Sequence, residues 1–433
     1  MKRRLISTIA VIGAVGLALS ACSSSGGSKS GVPQDDKKPS SLTMLVTASS
    51  SEDTLKKLAT EYTAKTGITI KFDEAPYDQL PTKLILAKQS NQSTYDMSMV
   101  DGFTLAQITA SGALAPLDSY LTSDKAYDYS DFPQGLQDYG KVGSVSYGLP
   151  LSTEPYLQWY RSDLYSQLNL KPATTWADAI SNAKDLQGAG YDGYDGVYGP
   201  AGSAHYYNAM LASMGGRLLD PKTYKPLLDS SVAKQAMKQY LSLKQYSPDA
   251  SSSSAGLDAV NAFSHQQVGQ MILASGWWGT FADPKNSDWA GKFATAETPL
   301  DKVGSYQPVS SLYGWLASIS ATSKHQKAAW DFLSWALGKS NAETFVETGA
   351  PPGRISTTSN AEFVKELPLL PSVADAAKDG LAMPRIPEMA QIVTVLSQDI
   401  SSMASGQLSL DDGMVQAQND LLNILVQSGR YKG

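Results

Sequence analysis

Asp101 ends the run Asp96 to Val100 and is followed by Gly102-Phe103, so an expected strand delivers its carboxylate at the carboxyl end. A carboxylate placed there accepts two hydrogen bonds from vicinal hydroxyls, a charge-assisted geometry that suits a sugar or polyol. The same oxygens can instead cap the helix that follows, whose end is marked by Ser111-Gly112. Thr47-Ala48-Ser49-Ser50-Ser51 offers a second polar set between strand and helix, where open α/β sheets hold their ligands. Ser49 and Glu52 have capping-box spacing, so each serine is open to both readings.

Signatures of catalysis are missing. His205, His265 and His325 lie far apart with no i, i+4 pair, so the zinc-protease motif is absent and no metal is expected. Gly188-Ala189-Gly190-Tyr191-Asp192-Gly193 has the spacing of a dinucleotide fingerprint, yet it follows a helical pattern and opens into a Tyr/Gly/Asp loop. It reads as a turn. Gly338-Lys339-Ser340 ends a helix, and Leu333 stands where a phosphate loop needs its first glycine. No Gly-x-Ser-x-Gly elbow occurs, and no cofactor is expected.

The only cysteine, Cys22, follows Leu19-Ser20-Ala21 after a basic start (Lys2, Arg3, Arg4) and an apolar run from Leu5 to Ala21. The run falls short of the roughly 20 residues that span a bilayer. The segment resembles a bacterial lipoprotein signal, which implies removal of residues 1–21 and acylation of the Cys22 thiol. Residues 22–41 are Ser/Gly-rich, then charged and proline-punctuated, and read as a flexible tether with a reach on the order of 25 Å. Contact with the membrane is then through the lipid alone.

The elements that must position the polar groups begin at Leu42-Thr43-Met44-Leu45-Val46, a buried strand. Leu55, Leu58, Ala59 and Tyr62 recur at helical spacing, Gly67 closes that helix, and Ile68, Ile70 and Phe72 alternate as a second strand. Strand, helix, strand predicts a parallel sheet. A chain of 433 residues has room for two full cores, and 42% hydrophobic content is ordinary for a globular protein. With 41 acidic against 35 basic residues the net charge is −6, which repels nucleic acid and suits a neutral ligand better than a strongly anionic one.

Several diffuse blocks follow in a telling order: Glu61 to Ile68, Gly112 to Asp118, Tyr147-Gly148-Leu149-Pro150, and Trp159 to Leu164 with Pro172 to Trp176. Gly276-Trp277-Trp278, Tyr313 to Ile319 and Met383-Pro384-Arg385-Ile386-Pro387 complete them. In these blocks the chain resembles the carbohydrate-handling branch, maltose-type, of the substrate-binding proteins of ABC importers. Arg161 departs from the asparagine common after that tyrosine. The resemblance implies an α/β, two-lobed periplasmic-binding-protein-like fold with discontinuous lobes and hinge-crossing strands. It places the crossings at Tyr147 to Leu151, Ser311 to Ser318 and Gly349 to Arg354, giving one lobe of residues 42–150 plus 316–352 and another of 151–315 plus 353–433.

The resemblance also implies the site. Glu154, six residues before Tyr160, takes the place of a ligand-contacting acid, and Tyr156 shares its face if the segment is extended. Trp277 takes the place of a stacking ring; adjacent side chains on extended backbone point apart, so Trp278 is expected in the core. Tyr313 and Trp315 lie on one face of the second crossing, and Arg354 either bonds a hydroxyl, pairs with a cleft carboxylate or forms an ordinary hinge salt bridge. His205, Tyr206 and Tyr207 are weaker candidates at the edge of the second lobe. The implied function is capture of a carbohydrate or polyol outside the cell and delivery to importer permease subunits, with no catalysis. The rival is a secreted lipoprotein glycosidase using Asp101 and Glu154 as its two carboxyls. Gln391-Ile392-Val393 after the Pro384 block lacks the stacking aromatics of maltodextrin binders, which points to a small ligand.

Overall fold

Strand β1 (Ser41–Val46), helix α1 (Ser50–Thr66), β2 (Thr69–Glu74) and β3 (Met97–Asp101) form the expected unit, with β1 parallel to both β2 and β3. The computed structural model describes residue 35 and residues 37–432. Cys22 and the signal lie outside them. Leu42, Met44, Leu45 and Val46 are fully buried. Ser49 starts α1 by accepting a hydrogen bond from the Glu52 amide at 3.2 Å. The Glu52 carboxylate turns to Lys56 at 2.8 Å instead, so the capping box is one-sided. Gly67, at φ +75°, ends the helix.

Two sheets define two lobes. The first has the order β2, β1, β3, Trp315–Ile319, Leu149–Pro150, the last two pairings being antiparallel. The second is antiparallel, with Tyr156–Arg161 between Gln270–Ala274 and Phe293–Glu297. One core joins residues of β1 and β3 to Trp330, Phe332 and Leu333 of the helix Gln326–Ala336, the aromatic stripe expected there. A helical core around Tyr207, Met237 and Leu396 and a smaller one around Trp159 and Phe281 fill the second lobe. Gly188 to Gly193 is a turn, as expected, with Gly190 at φ +91°. Tyr194 and Tyr198 of the following loop are core residues, and the Tyr198 ring packs 5.0 Å from Tyr240.

The end of the expected tether is not free. Asp35 caps the helix Gln326–Ala336, accepting from the Lys327 and Ala328 amides at 3.0 and 2.9 Å, and Lys38 Nζ donates to the Thr66 carbonyl at 2.7 Å. Pro39 is buried. A carboxylate at a helix N-terminus satisfies amides that have no partner within the helix, so charge-rich residues gain order there despite their poor core-forming composition.

Three chain segments pass between the lobes and are bonded to one another. The amides of Leu151 and Ser152 donate to the Trp315 carbonyl (2.8 and 3.2 Å), Glu154 N to Tyr313 O (2.8 Å) and Thr153 N to Pro351 O (2.9 Å). A Cβ at Gly314 would overlap the Ser152 carbonyl, so only glycine allows this approach. Arg354 belongs beside the crossing, not in the ligand site. It is 2% exposed, and it donates to the carbonyls of Leu337 (2.9 Å), Asp128 (3.0 Å) and Tyr127 (3.0 Å) and to Asp131 at 3.4 Å. Its plane lies 4.2 Å from the Phe132 ring centre. Arg354→Met would leave these acceptors buried without donors, so we expect a loss of about 3–5 kcal/mol in urea unfolding. Ligand affinity of the folded fraction should be unchanged; weakened binding without lost stability would return Arg354 to the site.

Candidate ligand site at the lobe crossing

Asp101 sits at the end of β3 directly opposite Trp315 in the antiparallel register. It is 3% exposed, and its Oδ1 accepts from the Thr104 amide and hydroxyl, each at 2.8 Å. Turn capping is therefore realised, and the Tyr77 hydroxyl lies near the same carboxylate. Burial lifts its pKa to about 6 against these donors. The Tyr77 ring stands edge-on to Trp315 at 5.7 Å, and Trp315 lies 6.5 Å from Tyr313.

Glu154 follows the first crossing and is 6% exposed. Its Oε1 accepts from the Ser152 hydroxyl at 2.6 Å, yet burial still raises its pKa to about 7. A Cβ at Gly276 would overlap the Glu154 carboxyl group, so the glycine keeps that side of the acid clear. The Gly276 carbonyl accepts from Ser50 Oγ at 3.0 Å, which ties α1 of one lobe to the segment after Gln270–Ala274 of the other. Ser49, by contrast, is occupied with the helix cap.

Between these acids the rings of Tyr156 and Tyr313 meet edge-to-face at 6.3 Å, and Tyr206 packs against Tyr156 at 5.4 Å. Phe103 leaves the first lobe and is buried in the helical core of the second, 4.8 Å from the His205 ring. Burial pushes the His205 pKa down to about 4, so its imidazole is neutral at pH 7, one nitrogen donating and the other accepting. With Tyr139, Asn208 and Met383, the side chains of Tyr156, Tyr313, Phe103 and His205 line a narrow cavity of about 20 Å³, beside which Asp101 and Glu154 are buried.

The tryptophan pair does not follow the extended-strand argument. Trp277 has φ −90° and ψ 4°, Trp278 has φ −53° and ψ −49°, and a helical turn replaces the strand after Ala274. Trp278 packs 5.1 Å from Phe293 and 6.1 Å from Trp159. Trp277 is half-buried at the edge of the same cluster and does not line the cavity. Ser50, Asp101, Glu154, Tyr156, Tyr313 and Trp315 are thus brought to the crossing, whereas Ser49 and Arg354 serve the scaffold. Tyr77, Tyr139, Asn208 and Met383 had no sequence signal as site residues. Tyr139 shows why: it reaches the site from a distant helix, accepting from Gly102 N and donating to Gly314 O, each at 3.1 Å.

Among the described residues no cluster of His, Asp and Glu could hold a metal ion, and no helix is long and apolar enough to cross a membrane. Neither Asp101 nor Glu154 has an ion-pair partner among them. Such groups accept hydrogen bonds from a polar ligand at a net gain, because their water has already been lost.

Glu154 gives a signed pH effect. In the unfolded chain its pKa is near 4.5 and in the folded protein about 7, so between these values the folded state keeps a proton the unfolded chain has released. Stability from this group therefore falls as pH rises from 4.5 through 7. Glu154→Gln should stabilise the ligand-free protein by about 1–3 kcal/mol at pH 8 and hardly at all at pH 4. Denaturant titrations at the two pH values check it; a variant less stable at pH 8 would mean that the carboxylate is favourably paired.

The chain matches the model of the bacterial extracellular solute-binding proteins over residues 48–343. It is 26% identical over 372 residues to a mannitol-binding protein of Pseudomonas aeruginosa, covering 80% of this chain and 84% of that one. It is 24% identical over 371 residues to a probable amino-acid ABC transporter periplasmic-binding protein, y4oP, of Sinorhizobium fredii, covering 83% of each. An ABC transporter solute-binding protein from Agrobacterium radiobacter K84, solved in complex with ribitol, superposes with a TM-score of 0.80 at 24% identity over 89% of this chain and 99% of that one. Two lobes, three bonded crossings and a polar, aromatic-lined cavity between them accompany a family match over most of the sequence: this chain belongs to the bacterial extracellular solute-binding proteins.

Proposed function

We propose that this protein is the substrate-binding component of an ABC importer, capturing a small polyol or sugar between its lobes and delivering it to the permease subunits. The observation that carries this reading is the pair of buried acids without cations, Asp101 and Glu154, beside the Tyr156 and Tyr313 rings. Carboxylates take hydroxyl donors, rings take the C–H faces of a carbon chain, and the neutral His205 serves as either donor or acceptor. Relatives that bind mannitol and ribitol support the same class. The lobes are taken as residues 42–150 plus 316–352 and 151–315 plus 353–433. Trp277, half-buried beside Gly276, offers a further ring at the edge.

Ligand contacts to both lobes favour the closed population, and the crossing segments absorb the dihedral change. Calorimetry against polyols, small sugars and amino acids should find a polyol or sugar. Asp101→Asn and Glu154→Gln should each cost about 1.5–3 kcal/mol of its affinity. Small-angle scattering should show compaction on binding, and mass spectrometry should recover the ligand intact. Amino-acid binding alone would overturn the ligand class. Product released in excess of protein, and lost in Glu154→Gln, would establish the glycosidase instead.

The lipid anchor at Cys22 completes the proposal: acylation there keeps the folded part at the outer face of the cell membrane. Cys22→Ala should leave the protein in the soluble fraction or as full-length precursor. Unchanged membrane attachment and an unchanged mass of the mature N-terminal peptide would remove the anchor from the account.

A further inference from the structure

Beside the central cavity lies a larger one of about 330 Å³, lined by Arg217, Arg385 and Lys141, with Asp220 as the only acid among its described lining residues. The two share Asn208, and consecutive residues divide between them: Ala382 and Pro384 line the larger, Met383 the smaller. The nearby acids are committed. Asp220 Oδ1 accepts from its own turn, from Lys222 N (3.0 Å), Thr223 N (2.8 Å) and Thr223 Oγ1 (2.9 Å). Asp138 accepts from Lys141 Nζ at 2.9 Å and from Gln134 Nε2 at 2.8 Å.

Among the described residues, neither Arg217 nor Arg385 makes a side-chain hydrogen bond or ion pair. Arg385 is half-buried, and burial lowers its pKa against the opposing influence of Tyr139 and Asp138, with neither of which it forms a hydrogen bond or ion pair. Asn208, at the junction of the two cavities, is 7% exposed, and its amide is also without a partner among the described residues. Arg217 is exposed and Arg385 half-buried, so both guanidinium groups remain free to meet an acceptor that enters the cavity. Tyr224 lines the same wall at φ +60°, a conformation that bulky residues rarely adopt.

We infer that this basic annex receives an oxyanion at one end of a polyhydroxylated ligand, so that the preferred cargo is a sugar acid or a polyol phosphate. The hydroxylated end occupies the central cavity, Asn208 bonds at the junction, and the fork of Arg385 meets the anion, with Arg217 adding positive potential while Lys141 is paired with Asp138. This inference rests on the proposed sugar or polyol ligand. It also runs against the overall negative charge, because a local group of cations governs the potential inside a cavity.

The test is calorimetry with three matched probes, D-glucitol, D-gluconate and D-glucitol 6-phosphate, on the wild type, Arg385→Gln and Arg217→Gln. One of the two anions should bind at least about tenfold more tightly than D-glucitol, and the better of them identifies carboxylate or phosphate as the source. Arg385→Gln should bring that ratio close to one, with Arg217→Gln causing a smaller fall and both variants melting as the wild type does. Glucitol binding equal to or better than both anions would overturn the annex and leave the proposed function standing. A tenfold preference that survives in Arg385→Gln would also overturn it. Failure of all three probes, with an amino acid bound instead, would overturn both.

Discussion

The close approach of three backbone segments between the lobes is the constraint on which the rest depends. Glu154 N donates to Tyr313 O, and Ser152 N to Trp315 O, so the positions of one acid and two aromatic rings are set by main-chain hydrogen bonds and not by side-chain packing alone. Gly314 is required because Ser152 O occupies the space a side chain would take. Trp315 then faces Asp101 across the sheet, which fixes the second acid relative to the first. A site built this way can be precise while the lobes move, since motion is taken up by dihedrals at the ends of the crossing, outside the bonded pairs.

The chemistry of the site is opposed to its stability. Asp101 and Glu154 are buried without cations, and both pKa values are raised, to about 6 and about 7. A neutral isostere would suit the folded protein better, but it would accept a ligand hydroxyl less strongly. The scaffold offsets the penalty only in part, through Thr104 for Asp101 and Ser152 for Glu154. Retaining carboxylates at this expense accords with the proposed capture of a ligand rich in polar donors, and Arg354 shows the contrast. Its charge is equally buried, but carbonyls and Asp131 meet it from several sides.

Local patterns made the first sheet legible. The β1–α1–β2 unit, the Gly67 cap and the position of Asp101 at a strand end each follow from periodicity and turn chemistry within a short stretch. Trp277 and Trp278 were not legible from alternation, because that argument needs a strand and a helical turn begins at Ser275. Arg354 could not be placed because its partners, Tyr127, Asp128 and Asp131, lie more than 200 residues away in sequence. Tyr139 is hidden for the same reason: its hydroxyl joins Gly102 to Gly314, and nothing near it in the chain announces that role. Asp35 and Lys38, each bonded to a helix terminus, illustrate the opposite error, since composition describes a segment's own tendency and not the helix terminus waiting for it.

The lobes also make direct contacts with each other. Phe103 crosses from the first lobe into the helical core of the second, and Ser50 bonds the Gly276 carbonyl at 3.0 Å. These contacts stabilise the arrangement of the two lobes, and a ligand adds to them what its own contacts to both lobes are worth. The polar contribution is divided accordingly. Asp101 extends from the five-stranded sheet, Tyr156 and His205 from the second lobe, and Glu154 from the crossing itself. A ligand that reached only one of these sets would bind without biasing the lobes. One long enough to bond Asp101 and the His205 side together is favoured by the same interactions that close the cleft around it.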